Sequence, residues 1–212
     1  MHFKKRFYDL TEQEVVLIHL AGAECSTSDC RVLSSLARIE IEARHAINYD
    51  KSKVFLPLLA AFAILDQVGG CYRDSSKAQV LNEKASGVKK ALYYFFGFGD
   101  NDDSVKTLYA LRNGVLHDAS LISHAANGVD HYWFRFDTEM EEIVKVAPEP
   151  WSGDFKDWSD KNLSLVNPVA LINHISDMLT HLNRLNEAGN LELVLPGGCT
   201  ELCARFLYTV PY

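Results

Sequence analysis

The sequence predicts a mainly α fold: a four-helix up-and-down bundle with a small C-terminal β-hairpin plus helix extension. Apolar residues recur at three- and four-residue steps in four successive segments before residue 125. Short connections separate these segments, and short connections favour antiparallel neighbours. At 212 residues and 48% hydrophobic, the chain is long enough for one sizeable core. We therefore expect a helical bundle over residues 1–125 and an extension over residues 126–212 packed on the same domain.

The first two predicted helices follow a short N-terminal arm. The first lies within residues 28–49 and has Ser28 or Asp29 available as an N-cap. The second covers about residues 54–69 and is apolar on nearly all sides, which suits a helix packed against several neighbours. Two consecutive glycines, at positions 69 and 70, end it.

The next two predicted helices complete the bundle. The third runs from about residue 77 to residue 96 and ends at the glycines of a GFG motif. The fourth begins after the loop GFGDNDDS, where Asp102, Asp103 or Ser104 can cap it, and continues to about Ile122. GFGDN lacks the lysine and hydroxyl residue of a phosphate-binding loop, so we interpret it as part of this cap.

The remaining residues have a different pattern. DHYWFRFD and EEIVKVA are rich in aromatic and β-branched residues and predict a β-hairpin. An acidic loop containing two tryptophans follows, and then a helix with Asn167 as N-cap, Pro168 at its first position and Gly189 at its end. LELVL and FLYTV predict two short strands near the C-terminus.

The charge and the apolar segments limit the classes of function. A formal net charge of −7 provides no general basic field, so any contact with nucleic acid requires a local patch. The N-terminal residues lack the apolar run of a signal peptide, and we expect a cytoplasmic protein. The most apolar run, residues 54–65, is well short of the ~20 residues that a membrane span requires, so no membrane association is expected.

The cysteines do not predict a metal site. Their number is five, and an odd number without a secretion signal favours reduced thiols. The two closest pairs, Cys25 with Cys30 and Cys199 with Cys203, lack CxxC spacing. We expect neither a metal nor another cofactor.

Polar residues interrupt the fourth predicted helix in LYALRNGVLHDASL, residues 108–121. At about 100° per residue, Arg112 falls within the apolar stripe centred on Leu108, while Asn113 and His117 lie together on its flank. A guanidinium keeps its charge when buried, so Arg112 needs an acceptor or must extend to solvent. Asp66, the acidic residue of the apolar second helix, is the candidate partner.

Two neighbours complete this group. Tyr109 lies one turn before Asn113 and is a supporting residue of the predicted site. Gly114 costs the helix about 1 kcal/mol relative to alanine and allows another backbone or a substrate to approach closely. Close helix packing is the alternative reason for this glycine.

RNGVLH, residues 112–117, resembles the R-X4-6-H signature of the HEPN superfamily, in which Arg, usually followed by a polar residue, and His lie on a late helix of an all-α bundle. The resemblance covers the four-helix region. It implies a metal-independent endoribonuclease of a toxin–antitoxin, phage-defence or RNA-processing system, with activity held back by an inhibitory protein partner. It also implies a homodimer in which two copies of the motif face each other across a cleft.

The side chains suit RNA cleavage without a metal. Histidine titrates near neutrality, so His117 is assigned the proton transfer. The donor fork of Arg112 matches phosphate oxygens and places positive charge where negative charge develops, and Asn113 orients either residue. The expected product carries a 2′,3′-cyclic phosphate. Since one histidine cannot easily be both acid and base, the implied dimer would supply the second.

Other interpretations remain open. Arg38 and His45 also match the motif spacing but are most simply part of a solvated helix face. Arg112 and His117 can be purely structural, or can belong to a non-catalytic RNA- or nucleotide-binding module that uses the same groove.

Two further patterns resemble sites and have simpler explanations. Histidines recur every seven residues at 117, 124 and 131, and again at 174 and 181, but two helical turns are too far apart for one metal ion, so we interpret them as incidental. The aromatic residues of HYWFRF can stack on bases, although strand aromatics are more often part of a core or an interface.

Overall fold

A computed structural model describes residues 1–22, 24–79, 82, 84–99, 101–124 and 130–212. The described residues form a mixed α/β fold of seven α-helices and nine β-strands. The helices are α1 (Glu12–Ala21), α2 (Ser35–Ala46), α3 (Phe55–Cys71), α4 (Gly87–Phe96), α5 (Asp103–Asp118), α6 (Pro168–Glu187) and α7 (Gly198–Phe206). The strands are β1 (Cys25–Ser26), β2 (Cys30–Ser34), β3 (Tyr72–Asp74), β4 (Ile122–His124), β5 (His131–Phe136), β6 (Val144–Lys145), β7 (Leu163–Val166), β8 (Leu191–Leu193) and β9 (Leu207–Pro211).

The predicted mainly α four-helix bundle with a small hairpin is wrong, because strands that are distant in the chain pair into three sheets. One sheet has the order β1-β2-β9, the second pairs β3 with β8, and the third has the order β4-β5-β7-β6. Within the third sheet β5 and β7 are parallel, whereas the other neighbours are antiparallel. The pairings of β2 with β9 and of β3 with β8 join segments that are far apart in the chain, which helical periodicity alone does not reveal.

The N-terminal region contains a helix that the sequence interpretation missed. Thr11 caps α1 by accepting a hydrogen bond from the Glu14 backbone N–H, and the Glu14 carboxylate accepts one from the Thr11 backbone N–H at 2.8 Å. This capping box is visible in the sequence as Thr-x-x-Glu. The predicted helix within residues 28–49 begins later than expected, because β2 occupies Cys30–Ser34 and pairs with β9.

The second predicted helix is confirmed as α3, which packs against α2, α4, α5 and α6. The glycines at positions 69 and 70 do not terminate it, since α3 continues to Cys71, and Gly69 serves packing instead. A Cβ atom on Gly69 would lie 1.9 Å from the carbonyl oxygen of Gly87, and one on Gly87 would lie 2.1 Å from the carbonyl oxygen of Asp66. Side chains at these two positions would therefore force the backbones of α3 and α4 apart.

The third and fourth predicted helices are shorter than expected. Residues 72–74 form β3, and α4 begins only at Gly87; positions 80, 81 and 83 of the predicted range lie outside the described residues. The expected cap Asp102 is confirmed for α5, since its carboxylate accepts from the Ser104 N–H at 2.7 Å. Helix α5 ends at Asp118 because Ala119 adopts a left-handed conformation with φ of 50°.

The predicted hairpin is also wrong. Strands β5 and β6 do not pair with each other, because β7 lies between them and bonds to both. The long C-terminal helix is confirmed as α6 with Asn167 and Pro168 in their expected positions, and LELVL and FLYTV contain β8 and β9. The sequence interpretation missed α7 between these two strands.

One hydrophobic core contains residues from both the predicted bundle, residues 1–125, and the predicted extension, residues 126–212. Positions 125 and 126 themselves lie outside the described residues. Leu58 and Leu65 of α3 belong to the same buried cluster as Phe134 of β5 and Leu171 of α6. None of the helices in the described ranges combines the length and apolar character that crossing a membrane requires.

His19 forms a buried polar connection inside this core. Its Nδ1 lies 2.7 Å from the hydroxyl of Tyr72 and its Nε2 lies 3.0 Å from the side-chain nitrogen of Gln67. The amide nitrogen of Gln67 can only donate, so His19 accepts at Nε2 and carries its proton on Nδ1. Burial lowers the pKa of His19 to about 3, which keeps the ring neutral at physiological pH.

We expect His19 to make folding stability depend on pH. The unfolded chain protonates a histidine below about pH 6.5, whereas the folded chain resists protonation until about pH 3. The neutral form of His19 therefore contributes its full stabilisation of the folded state above pH 6.5. This contribution is lost as the pH falls from 6.5 towards 3, and the free energy of unfolding decreases by up to about 1.4 kcal/mol per pH unit. Urea unfolding at several values between pH 5 and 7 should show a shallower pH dependence for His19→Gln than for wild type. Equal slopes would contradict this assignment.

Candidate functional site

An open cleft of about 720 Å³ lies beside α5, between α4 and the strands β4 and β5. Its described lining is predominantly polar and contains three cationic side chains, two histidines and two carboxylates. These residues are Lys89, Lys106, Arg112, His117, His124, Asp118 and Asp130, together with Tyr109, Ala110, Asn113, Ser123 and Tyr132. Four of the five residues predicted for the site therefore line one cleft, and the fifth, Asp66, contacts it through Arg112.

Arg112 is held at the floor of the cleft by an ion pair with Asp66. Its Nε and Nη2 donate to Oδ2 of Asp66 at 3.1 and 2.8 Å. Both side chains are about three-quarters buried, at 22% and 29% exposed respectively. Arg112 lies within the apolar stripe of α5 and needs an acceptor there, and Asp66 is that acceptor.

The second oxygen of Asp66 serves the neighbouring helix. Oδ1 accepts from the backbone N–H of Val88 at 3.1 Å, in the first turn of α4. A carboxylate at a helix N-terminus satisfies a free backbone donor and interacts favourably with the helix dipole. One side chain of α3 therefore binds both α4 and α5.

The remaining nitrogen of the guanidinium is directed towards the other predicted site residues. Nη1 of Arg112 donates to Oδ1 of Asn113 at 3.2 Å and lies 3.0 Å from Nε2 of His117. A guanidinium can only donate, so His117 accepts at Nε2 and carries its proton on Nδ1. The imidazole of His117 is exposed, and in this arrangement it is a neutral ring with a lone pair beside a cation.

Tyr109 supports a second cation at the cleft. The ammonium group of Lys89, from α4, lies 4.4 Å from the centre of the Tyr109 ring, within the range of a cation–π interaction. Lys106, one turn earlier on α5, pairs with Asp103 at 2.8 Å, and this hydrogen bond raises its pKa so that it stays charged. Tyr132 also lines the cleft. Burial raises the pKa of its phenol, the negative charge of Asp130 raises this pKa further, and the phenol therefore stays neutral.

Gly114 allows the chain itself to fold back over α5. After the left-handed Ala119, the N–H of Ser120 donates to the carbonyl oxygen of Gly114 at 3.0 Å. A Cβ atom at Gly114 would lie 2.9 Å from the carbonyl oxygens of both Ser120 and Ile122. The close backbone approach suggested by this glycine is therefore made by β4, which brings His124 to the same cleft as His117.

His124 and His131 form a pair at the end of the β4–β5 ladder. They are directly opposed in the strand register, and their Nδ1 atoms lie 2.8 Å apart. A single hydrogen bond of this kind requires one ring to donate and the other to accept, so the two imidazoles share one bridging proton. The sequence interpretation treated these histidines as incidental because residues seven apart on a helix are two turns apart. That distance does not apply to His124 and His131, since they lie on paired strands and contact each other.

The sequence contains a signal for one further cleft residue. On a helical wheel Lys106 falls between Asn113 and His117, so spacing alone could have added it to the predicted group. Lys89 and His124 lie on other elements, and nothing in their local sequence connects them to α5.

Several competing patterns have no connection with the cleft. Arg38 and His45 are exposed on α2, and neither is among the described lining residues. His174 bonds to the Ala170 carbonyl oxygen at 2.9 Å. Within the described ranges no three histidine, cysteine or acidic side chains are grouped to bind a metal ion, and all five cysteines are free thiols.

The aromatic side chains of β5 divide between core and surface. Phe134 is buried, whereas Trp133 packs edge-on against Trp158, with ring centres 4.3 Å apart. Trp158 and Phe155 are substantially exposed. Tyr132 alone among the aromatic residues of β5 lines the described part of the cleft.

Comparisons of the chain with protein-family models, curated proteins and solved structures gave no match. The family resemblance therefore rests on the motif at residues 112–117 alone.

We expect Asp66→Asn to destabilise the protein by separating α5 from α3. Asparagine can still accept the Val88 N–H, but its amide group then presents donors to a guanidinium that needs an acceptor. The loss should be about 1–2 kcal/mol, since charge-assisted hydrogen bonds contribute more than neutral ones and partial exposure reduces the value. Chemical denaturation measures it. Glu42→Gln, at a carboxylate for which the structure gives no ion pair, is the control, and an equal loss in both variants would contradict the role of Asp66.

Proposed function

We propose that the protein is a metal-independent endoribonuclease that uses Arg112, Asn113 and His117. The observation that supports this proposal most directly is the 3.0 Å contact between Nη1 of Arg112 and Nε2 of His117 at a cation-lined cleft. A phosphate-binding cation and a proton acceptor stand side by side there, as cleavage of RNA by its own 2′-hydroxyl requires.

Asp66 prepares Arg112 for a phosphate. It occupies Nε and Nη2 and leaves the Nη1 edge directed into the cleft. An entering phosphate oxygen can accept from Nη1 in place of His117, while Asn113 keeps its own hydrogen bond to this nitrogen. Because the ion pair already holds the guanidinium in one orientation, little conformational freedom is lost on binding.

His117 is proposed as the base. Once a phosphate oxygen accepts from Nη1 of Arg112, Nε2 of His117 is released as an acceptor for the ribose 2′-hydroxyl proton. The resulting imidazolium lies beside the phosphate, which compensates its charge. Asn113 lies against the same guanidinium nitrogen and keeps it directed along the helix.

Lys89 and Lys106 extend the positive charge beyond the scissile phosphate. They enter the cleft from α4 and from the preceding turns of α5. Phosphates of a single strand are spaced so that neighbouring cations can each contact one. The protein carries a net charge of −7, so this local group would supply the attraction that the whole surface does not.

The resemblance of RNGVLH extends the proposal to the biological setting. It implies a homodimer and an inhibitory protein partner, within a toxin–antitoxin or defence system in the cytoplasm. These features rest on the motif. The chemistry of the cleft defines the RNA target only as a single strand, and the inhibitory partner is defined only as a protein.

A non-catalytic RNA- or nucleotide-binding module is the second candidate. The observation in its favour is the ion pair itself, since Asp66 neutralises much of the charge of Arg112 before any ligand arrives. In that case the cleft would retain phosphate binding without proton transfer by His117.

Purified protein incubated with a structured RNA in EDTA should generate 2′,3′-cyclic phosphate ends. His117→Ala should reduce the rate by about 10²–10⁴-fold through loss of the base. Arg112→Ala should reduce it by about 10²–10³-fold through loss of charge stabilisation. Gel analysis with end-group mapping measures both effects.

Arg38→Ala and His45→Ala are matched controls, because they change the other Arg–His pair with motif spacing and should leave cleavage unaffected. If folded wild-type protein does not cut, the nuclease proposal fails. RNA binding that weakens in Arg112→Ala and persists in His117→Ala would then support the binding module. Equal cutting by all variants would mean that the activity comes from elsewhere.

A further inference from the structure

A second imidazole lies in the cleft that contains His117. His124 is exposed on β4 and lines the cleft together with Arg112 and His117. The proposed cleavage needs two proton transfers, one from the 2′-hydroxyl and one to the departing 5′-oxygen. The hydrogen bond from Arg112 defines His117 as a proton acceptor, so the donor has to be another group.

His124 is suited to donate because His131 controls its ring. The Nδ1 atoms of the two histidines lie 2.8 Å apart, so Nδ1 of His124 is engaged and its Nε2 is the nitrogen left for a substrate. In its imidazolium form His124 donates from Nδ1 to Nδ1 of His131 and carries a second proton on Nε2, and that proton can be given to an oxygen, which leaves a neutral ring. The pair thus holds the ring of His124 in one orientation.

Packing in turn holds His131 in place. Its ring lies edge-on to Trp151, with centres 6.2 Å apart. Gly153, at φ of +87°, lies so close that a Cβ atom there would be 2.7 Å from Cδ2 of His131. Trp151 is itself buried and its indole N–H donates to the carbonyl oxygen of Asp154 at 3.0 Å.

We propose that His124 is the general acid of the same site, with His131 as its positioning residue. This inference rests on the proposed nuclease function and completes it within one chain. A second copy of the protein is then not required to supply a histidine, whatever the state of assembly.

The proposed cleavage transfers two protons and replaces one bond to phosphorus with another. His117 takes the proton of the 2′-hydroxyl while the 2′-oxygen forms a bond to phosphorus. The bond from phosphorus to the 5′-oxygen breaks, and that oxygen takes the Nε2 proton of His124. The products are a 2′,3′-cyclic phosphate and a 5′-hydroxyl, and exchange of protons with water returns both histidines to their starting forms.

A structural role is the alternative, because paired histidines can also stabilise the end of a two-stranded ladder. The two roles differ in their dependence on the leaving group. An acid is needed for an alkoxide but not for a thiolate, since the pKa of a thiol is only about 8.5. A residue that serves the fold alone would affect both leaving groups equally.

The experiment compares an RNA dinucleotide with an analogue whose 5′-bridging oxygen is sulfur. His124→Ala should cut the oxygen substrate about 10²–10⁴-fold more slowly than wild type, and the sulfur substrate less than tenfold more slowly. His117→Ala should be slow on both, because both still require the base. His124→Gln serves as a second variant, and thermal unfolding verifies that each protein is folded.

Each outcome has a separate meaning. An inactive wild type would refute the nuclease function itself. If wild type is active, His117→Ala is inactive and His124→Ala is unimpaired, the role of His124 as general acid is refuted but the nuclease function is retained. Equal losses of His124→Ala on both substrates would also refute the acid. Selective rescue by sulfur supports it.

The positioning role of His131 has its own test. Asparagine presents a donor and an acceptor close to the place of Nδ1, whereas alanine presents neither. His131→Asn should therefore retain most of the cleavage of the oxygen substrate, while His131→Ala should lose it and recover on the sulfur substrate. Equal activity of the two variants would refute this role.

Mixing His117→Ala with His124→Ala examines whether acid and base act from one chain. If both belong to the cleft of a single chain, each chain in the mixture lacks one group and activity stays lost. Recovery towards wild-type activity would mean that the two groups meet across an interface and would overturn the assignment to one chain.

Discussion

The carboxylate of Asp66 is the interaction on which the arrangement of the site depends. One oxygen caps α4 at Val88, and the other accepts two hydrogen bonds from Arg112 of α5. The close contact of Gly69 with Gly87 brings α3 and α4 near enough for the first bond. The same carboxylate leaves only one edge of the guanidinium free, so the packing of three helices determines the direction in which the charge of Arg112 acts.

The cleft is formed by several elements of the fold, and Gly114 allows two of them, α5 and β4, to lie close together. Without a side chain at that position, the chain can reverse after α5 and lay β4 across the helix. Strand β5 then pairs with β4 and carries His131 to His124. In the chemistry that we propose, the helix supplies a cation and a base and the sheet supplies a second imidazole, so a helical bundle alone would leave that chemistry incomplete.

The distribution of charge reconciles an acidic protein with the RNA substrate that we propose. Lys89 and Lys106 are stabilised by a ring and by a carboxylate respectively, and both line the cleft beside Arg112. Exposed charges farther apart than about a Debye length, ~8 Å at physiological ionic strength, are largely screened from each other, so distant acidic residues contribute little at the cleft despite the net charge of −7. Such an arrangement favours binding of a strand at one place over coating of nucleic acid.

Local features could be predicted from the residues of one segment: the cap of Asn167 and Pro168 on α6, the apolar α3, and the grouping of Arg112, Asn113 and His117. Helical spacing and capping act over a few residues and can be recognised in one segment. That β2 is a strand and that His124 reaches the cleft depend on contacts between distant parts of the fold. Cys30–Ser34 has apolar spacing compatible with helix or strand, and pairing with β9 at the opposite end of the chain selects the strand, because backbone hydrogen bonds between distant segments depend on the whole fold.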